Sequence, residues 1–280
     1  LRSDAHVGEK VDPKWVQGIG SYNIDIYKSR LKKWLEKIIL FKEQDEKSLG
    51  LNKLVIMYLG DMVTGESIYK GQSYFIDLNL AQQLFLLVEE ESNAILKLAE
   101  YFNEIEIDAV WGNHGRIGRK GENHPQTNFD YIFYRALKMA LSSQNNVNIY
   151  VSECPTMLIR HGNYNFSLNH NDNVRAWNGI PYYGLQRKIY RLNRLYDIKI
   201  HYMMGGHFHT PGNIDDEIYL NGSMVGGTDL SINKMTMSSR ASQRIYYFDK
   251  KFGINRESNL YLSEPVSLEA DDKGIYTDYC

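Results

Sequence analysis

Cysteine is nearly missing from this chain. Its 280 residues include only Cys154 and Cys280, too few and too far apart for a disulfide framework or a closed thiolate zinc site. A reducing compartment is the simpler reading. No apolar stretch approaches the roughly 20 residues that span a bilayer, and no basic-then-apolar leader opens the sequence, so the expectation is a cytoplasmic protein that makes no membrane contact. Neither sign of charge dominates: 32 Lys and Arg stand against 34 Asp and Glu, a net charge of -2. The whole-molecule field therefore carries no footprint of a duplex-binding protein, although bound divalent ions would reverse the sign locally. Internal repeats, heptads and low-complexity linkers are absent too.

What is present is an ordinary globular balance, 43% hydrophobic and 24% charged, enough to bury a sizeable core. Apolar runs rich in β-branched residues recur at Leu54 to Leu59, Ile107 to Trp111, Asn165 to Leu168, Ile200 to Met204, Ile218 to Leu220 and Arg244 to Phe248, and predict strands. Segments of helical period lie between them: Ile24 to Phe41, Leu78 to Tyr101, Asn128 to Leu141 and Gly184 to Leu195. Alternating strands and helices predict an α/β fold. Short strands without helices after Leu220 predict an antiparallel completion of the sheet. One domain over 1–262 with a weakly ordered tail, 263–280, is expected.

In open α/β sheets, ligands gather outside the carboxyl ends of strands. Those ends here read Gly60-Asp61, Gly112-Asn113-His114, His170 and Gly206-His207-Phe208-His209, and Asp4-Ala5-His6 stands near the start. Carboxylates, imidazoles and an amide oxygen without thiolates suit Mn, Fe, Zn, Ni or Mg. On a strand His207 and His209 would share a face, whereas on a turn they would straddle two ions.

In this order, D-x-H, G-D, G-N-H, a lone His and G-H-x-H resemble the calcineurin-like metallophosphoesterase superfamily, across residues 4–209. "WNGIPYYG", "GHFHTPG" and "NGSMVGG" look like its phage and prophage members. The resemblance implies a four-layer αββα sandwich with two divalent metal ions, Mn foremost. Asp4, His6 and His209 would hold one ion, Asn113, His170 and His207 the other, and Asp61 would bridge them. It implies a phosphoesterase using a metal-activated hydroxide, with His114 as general acid and Arg116 gripping a phosphate oxygen. Phosphodiesters are favoured, with a nucleotide or single-stranded nucleic acid among the substrates considered. A phosphomonoesterase, a non-catalytic scaffold of the same fold and a structural mononuclear site are the alternatives.

Two positions depart from the family pattern. Many members carry an acid after G-N-H and read G-D-x-V-D, where this chain has Gly115 and Thr64; either another acid, Glu66 or Asp172, then orients His114, or His114 works unassisted. His124 reads as a solvated turn residue, His161 as a structural residue at a hairpin turn, and His201 has no role. Trp177, Tyr182 and Tyr183 are expected to pack rather than stack on a ligand. "NGSMVGGTDL" reads as a strand followed by a turn.

Overall fold

The computed structural model describes residues 1–177 and 180–264. It is a mixed α/β protein. Strands β1 (Lys53–Tyr58), β2 (Glu104–Ala109) and β3 (Val147–Val151) form a parallel sheet in that order. Strands β4 (Thr156–His161), β5 (Tyr164–Asn169), β6 (Tyr202–Gly205), β7 (Gly212–Ile214) and β8 (Ile218–Leu220) form a mixed sheet of order β4-β5-β6-β8-β7. Strands β9 (Ser242–Asp249) and β10 (Gly253–Tyr261) make an antiparallel hairpin, which accounts for the helix-free pattern after Leu220.

The helices are α1 (Ile24–Leu49), α2 (Leu80–Ala99), α3 (Phe129–Ala140) and α4 (Tyr182–Tyr196). Local signals set their ends. The Asn23 side chain caps the N-H of Ile26 at 2.9 Å, and Gly50, at φ 60, closes α1 in the left-handed region. Asn79 and Gln82 form a reciprocal capping box on α2. Helix α1 outlasts its apolar period by two turns. Beyond Lys42, itself buried, it leaves the core, but charged helix formers continue it, with a Lys42–Glu46 pair four residues apart.

Strand β2 begins three residues before the predicted run. Glu104, Glu106 and Asp108 alternate with Ile105 and Ile107, and a charged alternation disguises the strand. The segment 221–225 is not a strand; its polar groups hold the N-terminal segment instead, as described below. The expected tail lies, from residue 265, outside the described residues.

Three apolar clusters organise the chain. The largest joins α1, α2 and α3 to the parallel sheet through Leu31, Trp34, Ile95, Leu98, Ile105, Ile107 and Phe133. A second joins Met57, Leu59 and Val110 to Phe166, Leu168 and Met204 of the mixed sheet. A third joins Leu185 and Ile189 of α4 to Met203 and Ile218. Within the first cluster, Arg2 and Glu91 form a fully buried ion pair, and Glu91 also accepts from the hydroxyls of Tyr27 (3.0 Å) and Tyr58 (2.8 Å). A buried carboxylate is tolerable only with such full satisfaction. The pair pins the start of the chain beside β1, where Arg2 N-H donates to Met57 O at 2.9 Å and Asp4 N-H to Gly60 O at 3.0 Å. No described helix is long and apolar enough to cross a membrane.

Candidate metal centre

The carboxyl ends of β1, β2, β5 and β6 converge with residues 3–7, which lie alongside β1. Ligand atoms of Asp4, His6 and His209 lie within 4.8 Å of one another, as do those of Asp61, His170 and His207, and those of His6, Asp61 and His114. Asp61 thus belongs to two groups on either side of it. His207 and His209 sit on a turn past β6, at φ 79 and φ 59, and the intervening Phe208 sends them to different groups. That settles which of the two geometries the paired histidines adopt.

The donors are packed closely. His6 Nε2 is 3.1 Å from His209 Nε2, and His207 Nδ1 is 3.2 Å from His170 Nε2. His170 Nε2 is also 2.9 Å from Asp61 Oδ2 and 3.1 Å from Asn113 Oδ1. Two facing imidazole nitrogens cannot both present lone pairs without a proton or a cation between them. Burial and the neighbouring His170 push His207 down to about 4. His170 itself, despite its burial, is raised to about 10 by Asp61. Burial, with His114 and His209 nearby, holds His6 well below its ordinary value. Cations at these two groups fit the donor chemistry, since a divalent ion satisfies neutral imidazoles and carboxylates together.

The backbone is strained where the donors sit. Asp4, His6, Asp61, His207 and His209 all have positive φ, between 44 and 79. Non-glycine residues in this region cost about 1–3 kcal/mol each and cluster at functional sites. Glycine is required beside them. A Cβ on Gly112 would collide with Asp61 Oδ1 and its backbone nitrogen, so only glycine lets the β2 loop close on that carboxylate.

Hydrogen bonds around the donors fix their directions. Asp4 accepts from the N-H of His207 at 3.0 Å, and its carbonyl accepts from Ser223 Oγ and Met224 N, each at 3.0 Å. His170 Nδ1 donates to Leu59 O at 2.7 Å, leaving Nε2 for the cluster. Asp130 was not legible as a site residue, yet it ties the two ligand loops together. Its buried carboxylate accepts from the N-H groups of Asp61 (2.7 Å), Met62 (3.0 Å), Val63 (3.2 Å) and Gly112 (2.9 Å). Burial, then Asp61, raise it to about 6. In the sequence, Asn128-Phe129-Asp130 looks like any capped helix start.

His114 is oriented by neither Glu66 nor Asp172. Glu66 accepts from Leu80 N at 2.8 Å, and Asp172 pairs with Lys120 at 2.7 Å. Instead His114 Nδ1 donates to the carbonyl of Thr64 at 2.8 Å. Thr64 in turn hydrogen-bonds through its hydroxyl to the mostly buried Glu9, a second residue without a sequence signal, whose carboxyl burial raises. An acid at position 115 is excluded sterically, because a Cβ there would collide with the Asn128 side-chain oxygen and approach Asp130 N to 2.8 Å.

Arg116 lines the cleft beside the donors, with its guanidinium anchored by backbone carbonyls. It donates to the carbonyls of Asn113 and, at 3.3 Å, Ile68, bracing the β2 loop against the loop after β1. Beside the donors opens a cleft of about 230 Å³ whose lining includes Asn113, His170, Arg119, Lys120 and Lys188, with Asp172 its one acid among the described residues. Lys188, lowered to about 8 by burial, is held by Asn171 and Asn173 side-chain oxygens at 2.9 and 3.1 Å. Trp177 and Tyr183 do not pack: they are 82% and 79% exposed. His124 is a solvent-exposed turn residue, and His201 Nδ1 accepts from Asn165 N at 3.0 Å. Neither a scan against protein-family models nor a search of curated proteins finds a match to this chain.

Proposed function

We propose that this protein is a dinuclear metal-dependent phosphoesterase of the calcineurin-like type, acting on phosphodiesters. The observation that carries the reading is Asp61, a buried carboxylate placed between two groups of imidazole and carboxylate donors, five of the seven proposed ligands lying on strained backbone. Asp4, His6 and His209 would hold one ion, Asn113, His170 and His207 the other, with Asp61 common to both. Bound there, two divalent ions would supply an activated water and positive charge for the phosphate oxygens. Three apolar clusters, one between the sheets and one on either side, support the four-layer αββα arrangement.

The chain's own groups do the rest. His114 is fixed through Nδ1 by the Thr64 carbonyl, so a proton carried on Nε2 faces the cluster and is available to a departing alkoxide. Arg119, Lys120 and Lys188 line the cleft next to Asn113 and His170 and offer charge to a substrate with more phosphate than the reacting group. The exposed Trp177 and Tyr183 suit stacking on a base. These features favour a nucleotide or single-stranded nucleic acid over a small monoester.

Hydrolysis of bis-p-nitrophenyl phosphate and p-nitrophenyl phosphate, with manganese and with chelator, tests the reading. Manganese-dependent cleavage with preference for the diester is expected. Preference for the monoester would shift the assignment to a phosphatase, and no turnover with two metals bound would favour a scaffold. His114→Ala is expected to keep its metals and to slow alkyl-leaving diesters on the order of 10²-fold while hardly affecting nitrophenyl esters. Equal slowing of both would remove His114 as the acid.

A further inference from the structure

Away from this centre, the charged alternation that disguises β2 has a counterpart on the facing sheet. Glu106 and Asp108 stand two residues apart on one face of β2. His161 ends β4 of the mixed sheet. Ligand atoms of all three lie within 4.8 Å of one another. We propose that Glu106, Asp108 and His161 form a separate binding site for one divalent cation that links the two sheets.

Two observations beyond the clustering point to a ligand. Asp108 is 1% exposed, and its Oδ2 has no hydrogen-bond partner; His161 Nε2 is likewise buried and unpartnered. Orphaned buried acceptors are costly, and each orphan here calls for a partner. One cation would satisfy both. The two carboxylates and the imidazole are a mixed oxygen and nitrogen set suited to zinc, cobalt or manganese.

The surroundings are arranged for such an ion. The imidazole of His161 is gripped edge-on by Phe166 and Phe248, at 5.5 and 6.2 Å between ring centroids, which fixes its direction. Glu106 divides its two oxygens: Oε2 accepts from Lys53 at 2.5 Å, while Oε1 faces His161 Nε2 at 3.7 Å. The latter separation is too long for a hydrogen bond. Lys53 also pairs with Glu104 at 2.8 Å, so the lysine occupies the outer carboxylates and leaves the inner oxygen to the ion. A cavity of about 560 Å³, lined by Lys53, Glu104, Glu106 and His161, gives an entry path. None of the dinuclear donors lines it.

The test is metal stoichiometry. The full chain, His161→Gln and Asp108→Asn would each be dialysed against zinc at neutral pH and counted by mass spectrometry of the metal. Each variant is expected to bind one equivalent less than the parent while hydrolysing the nitrophenyl diester at the parental rate. Cobalt should give the parent an additional visible absorption band that both variants lack. Equal zinc content in parent and His161→Gln would overturn the proposal, and would leave Glu106 and Asp108 as a carboxyl pair sharing a proton. Circular dichroism tells whether Asp108→Asn folds; if it does not, His161→Gln decides alone, because its side chain is at the edge of the cavity. The count does not depend on turnover, so the proposal stands or falls apart from the phosphoesterase reading.

Discussion

Asp61→Ala is expected to reduce phosphodiester hydrolysis on the order of 10³-fold or more and to lower the metal content of both groups. Asp61 is the one side chain in both the His6 and His170 groups, and its Oδ1 also accepts from the N-H of His114 at 2.7 Å. Removing it therefore disconnects the two sets of donors and frees the loop carrying Asn113 and His114. It also leaves His170 without the carboxylate 2.9 Å away that, despite burial, favours its charged form. Metal analysis and initial rates check both parts. Full activity with two bound ions in this variant would eliminate the shared-carboxylate arrangement.

Asp130→Ala is expected to cost stability as much as activity. Four backbone N-H groups, those of Asp61, Met62, Val63 and Gly112, lose their acceptor in a region water does not reach. At about 1 kcal/mol or more for each orphaned donor, the loss is roughly 4 kcal/mol, a large share of the 5–15 kcal/mol typical of a folded protein. Because these donors belong to the two loops that carry Asp61 and Asn113, metal affinity should fall about 10- to 100-fold as well. Urea unfolding and metal titration measure the two effects. An unchanged urea midpoint together with unchanged affinity would show that the carboxylate is not what joins the loops.

Asp61, Asn113, His170, His207 and His209 were legible as ligand-type residues just past an apolar run, three of them directly behind a glycine, and Asp4 and His6 by their D-x-H spacing. The four helices were legible for a similar reason, since apolar period and caps are written within a few residues. What escaped depends on partners far along the chain. Asp130 is indistinguishable from an ordinary first-turn acid until the β1 and β2 loops are brought to it. The orienting group of His114 is a carbonyl, and a carbonyl has no residue letter. The two carbonyls that anchor the Arg116 guanidinium at the cleft likewise carry no signal in the sequence. Strand β2 was displaced because Glu106 and Asp108 point inward, against the rule that charged positions face water. Trp177 and Tyr183 are aromatic and remain largely exposed, which composition does not predict.

The docking of the first residues sets an order on how the site is assembled. Asp4 is held through its carbonyl by Ser223, 219 positions away, and Ser3 is held by Gln243, 240 positions away. At synthesis rates of about 5–20 residues per second, Asp4 and His6 leave the ribosome roughly 10–50 s before those partners exist. Until then the D-x-H tripeptide is undocked on an unfinished chain, and the other donors wait beside a gap in their sheet edge. The donor arrangement thus exists only once the chain is made through the β9 hairpin, and chains released earlier should carry the motif without the site.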